Sequence, residues 1–526
     1  MSKVLVSDPI DQAGIDILSQ VATVDVKTNL KPEELVQIIG DYDALMIRSG
    51  TRVTKEIIEA GTQLKIIGRA GVGVDNVDVP AATRKGIVVV NSPEGNTIAA
   101  AEHALAMMLS LSRYIPDANA SVKRGEWDRK SFIGAEVYKK TLGVIGLGKI
   151  GSHVATVAKA MGMKLLAYDP FISTERAEQI GCQLVELDLL VQQADYITLH
   201  MPKTPETTHL IDAKMLAKMK PTARIVNCAR GGIIDEEALA VALKEGQIAG
   251  AALDVFESEP LGESSLRALG KEIILTPHLG ASTTEAQVNV AIDVAEQIRD
   301  VLLGLPARSA VNIPGLGPDI LEELKPYMQL AETLGKLVGQ LAGGRVELLN
   351  VRLQGELATN KSQPLVIASL KGLLYQALRE RVNYVNATLE AKERGIRVIE
   401  TRDAAIKDYA GSLHLEATGS LGTHSVTGAL LGDGEIRLTN IDGFPVNVPP
   451  SQHMLFTLHR DMPGIIGKLG SLLGSFNVNI ASMQVGRKIV RGDAVMVLSL
   501  DDPLPEGILS EIKKVAGIRD AYTVTL

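Results

Sequence analysis

Three polar residues each follow an apolar, strand-like run: Arg230 in "NCARGGIIDEEAL", Glu259 in "DVFESEP" and His278 in "TPHLGAST". An arginine beside two glycines suits a bidentate grip on a carboxylate and polarisation of the neighbouring carbonyl. A histidine can take a hydroxyl proton near neutral pH while hydride leaves carbon, and a carboxylate partner would orient its ring and stabilise the imidazolium. Glu259 is placed to be that partner. The trio therefore reads as the catalytic set of a hydride transfer. Four other histidines, His103, His153, His200 and His209, read as surface or satisfied core positions. Cys228, two residues before Arg230, invites a nucleophile reading, but hydride transfer needs no thiolate and a packing or backbone role fits better.

Hydride needs an acceptor, and "TLGVIGLGKIGSHVATVAKAMGMKLLAYDP" (Thr141 to Pro170) has the pattern to hold one. Gly146, Gly148 and Gly151 form G-x-G-x-x-G between a strand and a helix. The first permits a tight turn, the second lets a pyrophosphate approach the backbone, and the third lets helix pack on strand. The helix start offers unpaired N–H groups and the positive end of its dipole. Asp169 closes the next strand 18 residues after Gly151, where a carboxylate can accept from both ribose hydroxyls. It would repel a 2'-phosphate, so NAD is expected rather than NADP. Asp254, at the end of its own strand, either neutralises or hydrogen-bonds the nicotinamide ring or simply ends the strand. Nearer the start, "MIRSGT" and "GRAGVGVDNVD" end strands with small residues and an arginine. Glycine-rich loops present successive N–H groups to anions. Arg48, Ser49, Arg69, Gly71, Val72 and Gly73 are thus candidates to hold an acidic substrate, with surface ion pairs the plain alternative for the two arginines.

These residues need parallel sheets to carry them. From Lys3 to Asn91 five β-branched runs alternate with helical patterns, and six more runs follow from Thr141, from "LGVIG" to "EIILTP". That alternation predicts two Rossmann-type, doubly wound α/β domains. Long helical patterns at Thr97 to Ile115 and Thr283 to Gly304 could carry the chain out of one domain and back. The first domain is therefore expected to be discontinuous, 1–98 plus 289–315, with a nucleotide-binding domain inserted at 99–288. After the Gly/Pro cluster "VNIPGLGPDI" an α+β region is expected over 316–450. The final 451–526 reads strand, helix, strand, strand, helix, strand, the ferredoxin-like βαββαβ order.

Composition narrows the partners. A chain of 526 residues with 46% hydrophobic and 22% charged residues should fold into several domains. A formal charge of −8 without a basic run argues against nucleic acid. Two distant cysteines lack disulfide or metal-ligand spacing and fit a reducing compartment. No metal is expected. "MSKVLVSDPI" lacks a signal core and no run approaches ~20 apolar residues, so a cytoplasmic protein that leaves membranes alone is expected.

"GRAGVGVDNVD", "GLGKIG", "VNCARGGIIDE", "ALDVFESEP" and "PHLGAST" resemble the motifs of the D-2-hydroxyacid dehydrogenases, and the length with its tail resembles the long-form branch that oxidises phosphoglycerate. The resemblance covers essentially the whole chain. It implies that Arg230, Glu259 and His278 are catalytic, and that Val72, Lys149, Ile150, Asp169, Met201, Cys228, Ala229, Arg230, Asp254, His278, Gly280 and Ala281 contact the cofactor. Family members often have threonine where Val72 stands, so only a backbone contact is implied there. The implied reaction is oxidation of (2R)-3-phosphoglycerate by NAD. The last segment looks like an ACT domain, whose implied effector is serine bound at subunit interfaces, with Asp461, Gly464 and Asn479 in that site, and 316–450 resembles the intervening domain of assembly and anion effects. Edge-to-edge pairing of ACT sheets and a homotetramer are implied. Trp127 is either an exposed contact at a dimer interface or a core residue. Two rival functions are a hydroxypyruvate or glyoxylate reductase, which leaves the tail unexplained, and an NADH-sensing scaffold, which the intact catalytic trio disfavours.

Overall fold

The computed structural model describes residues 2–305, 307–313, 318–358, 362–405, 409–420, 422–432 and 434–526. Five parallel strands, Ser2–Val6, Ala22–Val26, Ala44–Ile47, Ile66–Arg69 and Val88–Asn91, form the first sheet in the order second, first, third, fourth, fifth. All four residues of Ala44–Ile47 are buried, as a parallel strand covered by helices on both faces requires. One covering helix comes from far along the chain. Thr284–Leu302 lays Val290, Ala291, Val294 and Ile298 against Val4, Val6 and Met46. Gly68 permits this contact, because a Cβ there would stand 2.6 Å from Val294 Cγ1.

Seven parallel strands make the second sheet: Thr141–Ile145, Lys164–Tyr168, Gln183–Leu184, Tyr196–Leu199, Arg224–Asn227, Gly250–Leu253 and Ile273–Leu275. Counted in chain order they lie 3-2-1-4-5-6-7, with the direction of winding reversing between the first and fourth strands. Ligands of open α/β sheets bind outside the strand ends at that reversal. Helix Thr97–Arg113 packs here, with Ala104, Met108 and Leu111 against Leu142, Val144 and Val226. The edge strand Gln183–Leu184 is the addition to the six runs read from sequence; two residues show no periodicity.

The expected boundary at 315/316 lies outside the described residues. Beyond it, helices Pro318–Ala342 and Gln363–Leu378 pack tightly against each other and over a six-stranded mixed sheet. Three of its strands match the expected runs. Val346–Gly355, Gly422–Leu431 and Phe444–Val448 are additional. The last module follows the βαββαβ order, with its four strands lying second, third, first, fourth and a core of Leu455, Leu469, Leu473, Met496, Leu498 and Ile512. Its edge strand Ile480–Arg487 lies against Phe444–Val448: Asn447 N–H donates to Gln484 Oε1 at 2.6 Å. The opposite edge meets the long helix, where Gln340 exchanges two hydrogen bonds with the backbone of Thr525. Each hydrogen-bonded contact touches its edge near one point, and Ala481, Ser482 and Met483 on the strand Ile480–Arg487 are exposed. Trp127 is 81% exposed, which decides between its two readings in favour of the surface. Among the described residues no helix is long and apolar enough to cross a membrane.

Candidate active site

The glycine loop fits a dinucleotide. Gly146 sits at φ +90°, and a Cβ there would press on the His200 carbonyl oxygen at 2.4 Å, so the tight turn demands glycine. A Cβ at Gly151 would lie 2.0 Å from the Gly146 carbonyl oxygen, which fixes the close approach of helix Lys149–Ala160. At Gly148 a Cβ would meet nothing within 4 Å. The space a pyrophosphate needs is therefore left at the middle glycine, at the helix start. Asp169 Oδ2 accepts from Leu147 N–H at 2.8 Å and Oδ1 from Phe171 N–H at 2.9 Å. Those bonds aim the carboxylate at the loop and leave lone pairs for a diol. Lys149 pairs with Glu94, Ile150 and Met201 lie partly buried past the carboxyl ends of two central strands, and Asn91 Nδ2 donates to the Val72 carbonyl at 2.5 Å. Ala229 N–H is held by Asn227 Oδ1 at 3.0 Å.

The structure brings His278 and Glu259 together. His278 Nδ1 lies 2.7 Å from Glu259 Oε2, and Glu259 Oε1 accepts from Phe256 N–H at 3.0 Å. A carboxylate can only accept, so Nδ1 carries the proton and Nε2 presents its lone pair. His278 itself stands at φ +54° on the turn after strand Ile273–Leu275. Asp254, 0% exposed, lies beneath that turn and accepts from the Leu279 and Gly280 N–H groups at 2.8 Å each. Burial acts first to raise the pKa of Asp254, but hydrogen bonds from His103, Thr276 and Leu279 outweigh it and hold the carboxyl below its usual range. Burial, and then the charge of Asp254, push the Cys228 thiol far up. A protonated thiol is no nucleophile, in keeping with the packing role.

A cavity of about 650 Å³ opens between the two sheets, lined by His278, Glu259 and Ala281 on one side and Arg48, Ser49, Arg69 and Gly71 on the other. Asp8 builds the Arg48 loop by accepting from the N–H groups of Arg48 and Thr51 at 2.6 and 3.0 Å. Burial and then the charge of Arg230 push the Arg69 guanidinium down to about 10, still protonated at neutral pH. Val72 and Gly73 lie off the cavity lining. Arg230 is turned across the cleft, its Nε 3.2 Å from Asp75 Oδ2 and its Nη1 on the Ala229 carbonyl at 2.7 Å. Gly73 leaves it room, since a Cβ there would stand 2.2 Å from Nη2. Sequence reasoning missed Asp75 and also Arg267, which lines the cavity from the short turn Ser265–Ala268. Asp75 lies within "GRAGVGVDNVD", but nothing local in that stretch announces its pairing with Arg230, and Arg267 carries no motif.

Comparison with known proteins places the chain. Residues 105–280 match the family model of the D-isomer specific 2-hydroxyacid dehydrogenase NAD binding domain, 323–442 that of the D-3-phosphoglycerate dehydrogenase intervening domain, and 453–517 that of the ACT domain. A D-3-phosphoglycerate dehydrogenase from Synechocystis is 77% identical over 100% of this chain and 95% of its own length. The chain belongs to the D-3-phosphoglycerate dehydrogenase family. Another relative of that name, from Methanocaldococcus jannaschii, is 48% identical over 100% of both chains. Among solved structures, a D-lactate dehydrogenase from Aquifex aeolicus complexed with NAD and lactic acid is 27% identical, with a TM-score of 0.53 over 58% of this chain and 96% of that one. As a member of that family, the chain is an NAD-dependent oxidoreductase.

The ACT module of this dehydrogenase does not bring the three expected effector residues together within one chain. Asp461 follows strand His453–Arg460, with Oδ2 accepting from Arg487 Nη1 and Arg491 N–H at 3.0 Å each. Gly464, at φ +84°, opens helix Ile465–Ser475 nearby. Asn479 stands before the edge strand at the far end of the sheet, its amide donating to Asp501 Oδ2 at 2.5 Å.

Proposed function

We propose that this chain oxidises (2R)-3-phosphoglycerate to 3-phosphooxypyruvate, the entry to phosphorylated serine biosynthesis, in the cytoplasm and as a homotetramer that serine inhibits through the ACT domain. The observation that carries the chemistry is the His278–Glu259 pair at 2.7 Å, facing a cavity whose other wall holds Arg48, Ser49 and Arg69. NAD, when bound, supplies the hydride acceptor. His278 Nε2 takes the proton from the C2 hydroxyl as the C2 hydride departs with its electron pair, leaving a carbonyl. Glu259 keeps the Nδ1 proton in place and stabilises the imidazolium that forms. Arg230 swings from Asp75 to the substrate carboxylate and C2 oxygen, where its fork binds both and draws charge from the forming carbonyl. Arg48 and Arg69 meet the phosphate, which carries about −1.5 to −2 at pH 7.

The deciding experiment is the initial rate of NADH formation from 3-phosphoglycerate and NAD with a product trap, with and without serine. Turnover suppressed by serine is expected. Turnover without suppression would leave the ACT domain a purely structural module. No turnover, with NADH still binding, would favour a hydroxypyruvate reductase or a cofactor sensor.

A further inference from the structure

His103 stands on helix Thr97–Arg113, far in sequence from the catalytic turn, yet it reaches the carboxylate beneath that turn. Its Nε2 lies 3.1 Å from Asp254 Oδ1 and 3.4 Å from Thr276 Oγ1. Thr276 Oγ1 donates to the same Oδ1 at 2.5 Å, Leu279 N–H to Oδ1 and Gly280 N–H to Oδ2, both at 2.8 Å. The carboxylate is thus the hub of a set of donors running from Thr276 to Gly280, and His278 lies inside that arc. Among the described residues, His103 is the one side chain bonded to it from outside the turn.

We propose that His103 is a positioning residue for hydride transfer: by donating to Asp254 it fixes the carboxylate that clamps the Thr276–Gly280 turn and so aims His278 at the substrate. This rests on His278 being the base. The physical argument is that Asp254 is fully buried, so every donor it loses leaves a desolvated lone pair that it will seek to satisfy by moving. The groups free to follow it are the turn N–H groups of Leu279 and Gly280. His278 is held at positive φ, a conformation a non-glycine residue keeps only when its surroundings enforce it. Releasing the clamp frees the turn to relax. A misplacement of about 1 Å at the reacting atoms can cost on the order of 100-fold in rate while leaving the binding groups on the opposite wall untouched.

The test compares H103L, which packs but cannot donate, with H103Q, whose amide can still reach Asp254, and with H278A. H103L is expected to lose about 10-fold or more in kcat with KM for 3-phosphoglycerate and Kd for NADH within about 3-fold of the parent, and H103Q to recover most of the loss. Should H103L fail to fold, H103N, whose shorter amide falls short of Asp254, carries the same comparison. Parental kcat in H103L, or an equal loss in H103Q, would overturn the proposal. An H278A enzyme that keeps its rate would instead remove the base itself, a separate failure.

Discussion

Asp461 and Asn479 stand at opposite ends of one four-stranded sheet. His453 and Ile480 both pair with Leu500 at one end, whereas Arg460 pairs with Asp493 at the other, and the eight-residue strand between them spans roughly 25 Å at about 3.3 Å per residue. One amino acid cannot touch both residues of one chain. Serine inhibition should therefore need a second copy to supply the missing half. D461A should abolish inhibition while sparing turnover, and dilution of the parent enzyme should weaken inhibition as assemblies dissociate. Initial rates across enzyme and serine concentrations check both; concentration-independent inhibition would place the effector elsewhere.

The His278–Glu259 pair makes a second prediction. E259Q keeps an oxygen that can accept from Nδ1 but removes the charge that stabilises the imidazolium. Turnover should fall by roughly 10- to 100-fold, and H278A by ~100-fold or more, with NADH affinity retained in both. Steady-state rates and NADH fluorescence titration separate the two quantities.

The parts of this site that were legible in sequence are those whose signal is local. Each strand tip announces itself by the apolar run before it, which is how Arg230, Glu259 and His278 stood out, and the three glycines carry their spacing with them. The pairings across the fold were not legible. Arg230 meets Asp75 and His103 meets Asp254 only because two sheets and a helix assemble, and no window of sequence contains either pair. The strand Gly422–Leu431 opens "GTHSV", a polar, glycine-led stretch whose extended form is set by its antiparallel neighbours Gly411–Gly419 and Glu435–Ile441 rather than by its own propensity.

The glycine loop separates folding from binding. In G151A the added methyl meets a backbone oxygen at 2.0 Å that cannot turn aside, so thermal stability should drop sharply, by about 2 kcal/mol or more. G148A meets nothing within 4 Å and has an ordinary φ of −67°, so it should fold like the parent. Its methyl would occupy the space of the pyrophosphate, and Kd for NADH should rise by roughly 10-fold. Melting curves with and without NADH distinguish the two variants.

In the intervening domain, the hydrogen bond to Asp442 at 2.9 Å raises the pKa of His424 above its ordinary value, with burial opposing. A folded pKa above the unfolded one stabilises most below the unfolded value of about 6.5, and the benefit fades as pH climbs through the folded value. D442N should accordingly cost melting temperature at pH 5.5 and little at pH 8.5. Asp442 sits at φ +49°, which asparagine tolerates well, so the backbone adds no penalty of its own. A D442N cost that does not vary with pH would mean that His424 does not titrate with folding.

Arg267 bears on which substrate the cavity accepts. It lines the cavity that holds Arg48, Arg69 and His278, and its guanidinium is tied to the Leu261 carbonyl on the loop after Glu259. Arg230 is expected to take the substrate carboxylate, so the remaining arginines face the phosphate. A hydrogen bond to a charged group is worth about 1.5–3 kcal/mol when buried and less at an exposed rim. R267Q should raise KM for 3-phosphoglycerate by roughly 10-fold while leaving reduction of unphosphorylated hydroxypyruvate nearly unchanged. Paired kcat/KM measurements on the two substrates decide the matter: equal losses would mean that Arg267 only shapes the Leu261 loop, whereas a loss confined to the phosphorylated substrate would place it on the phosphate.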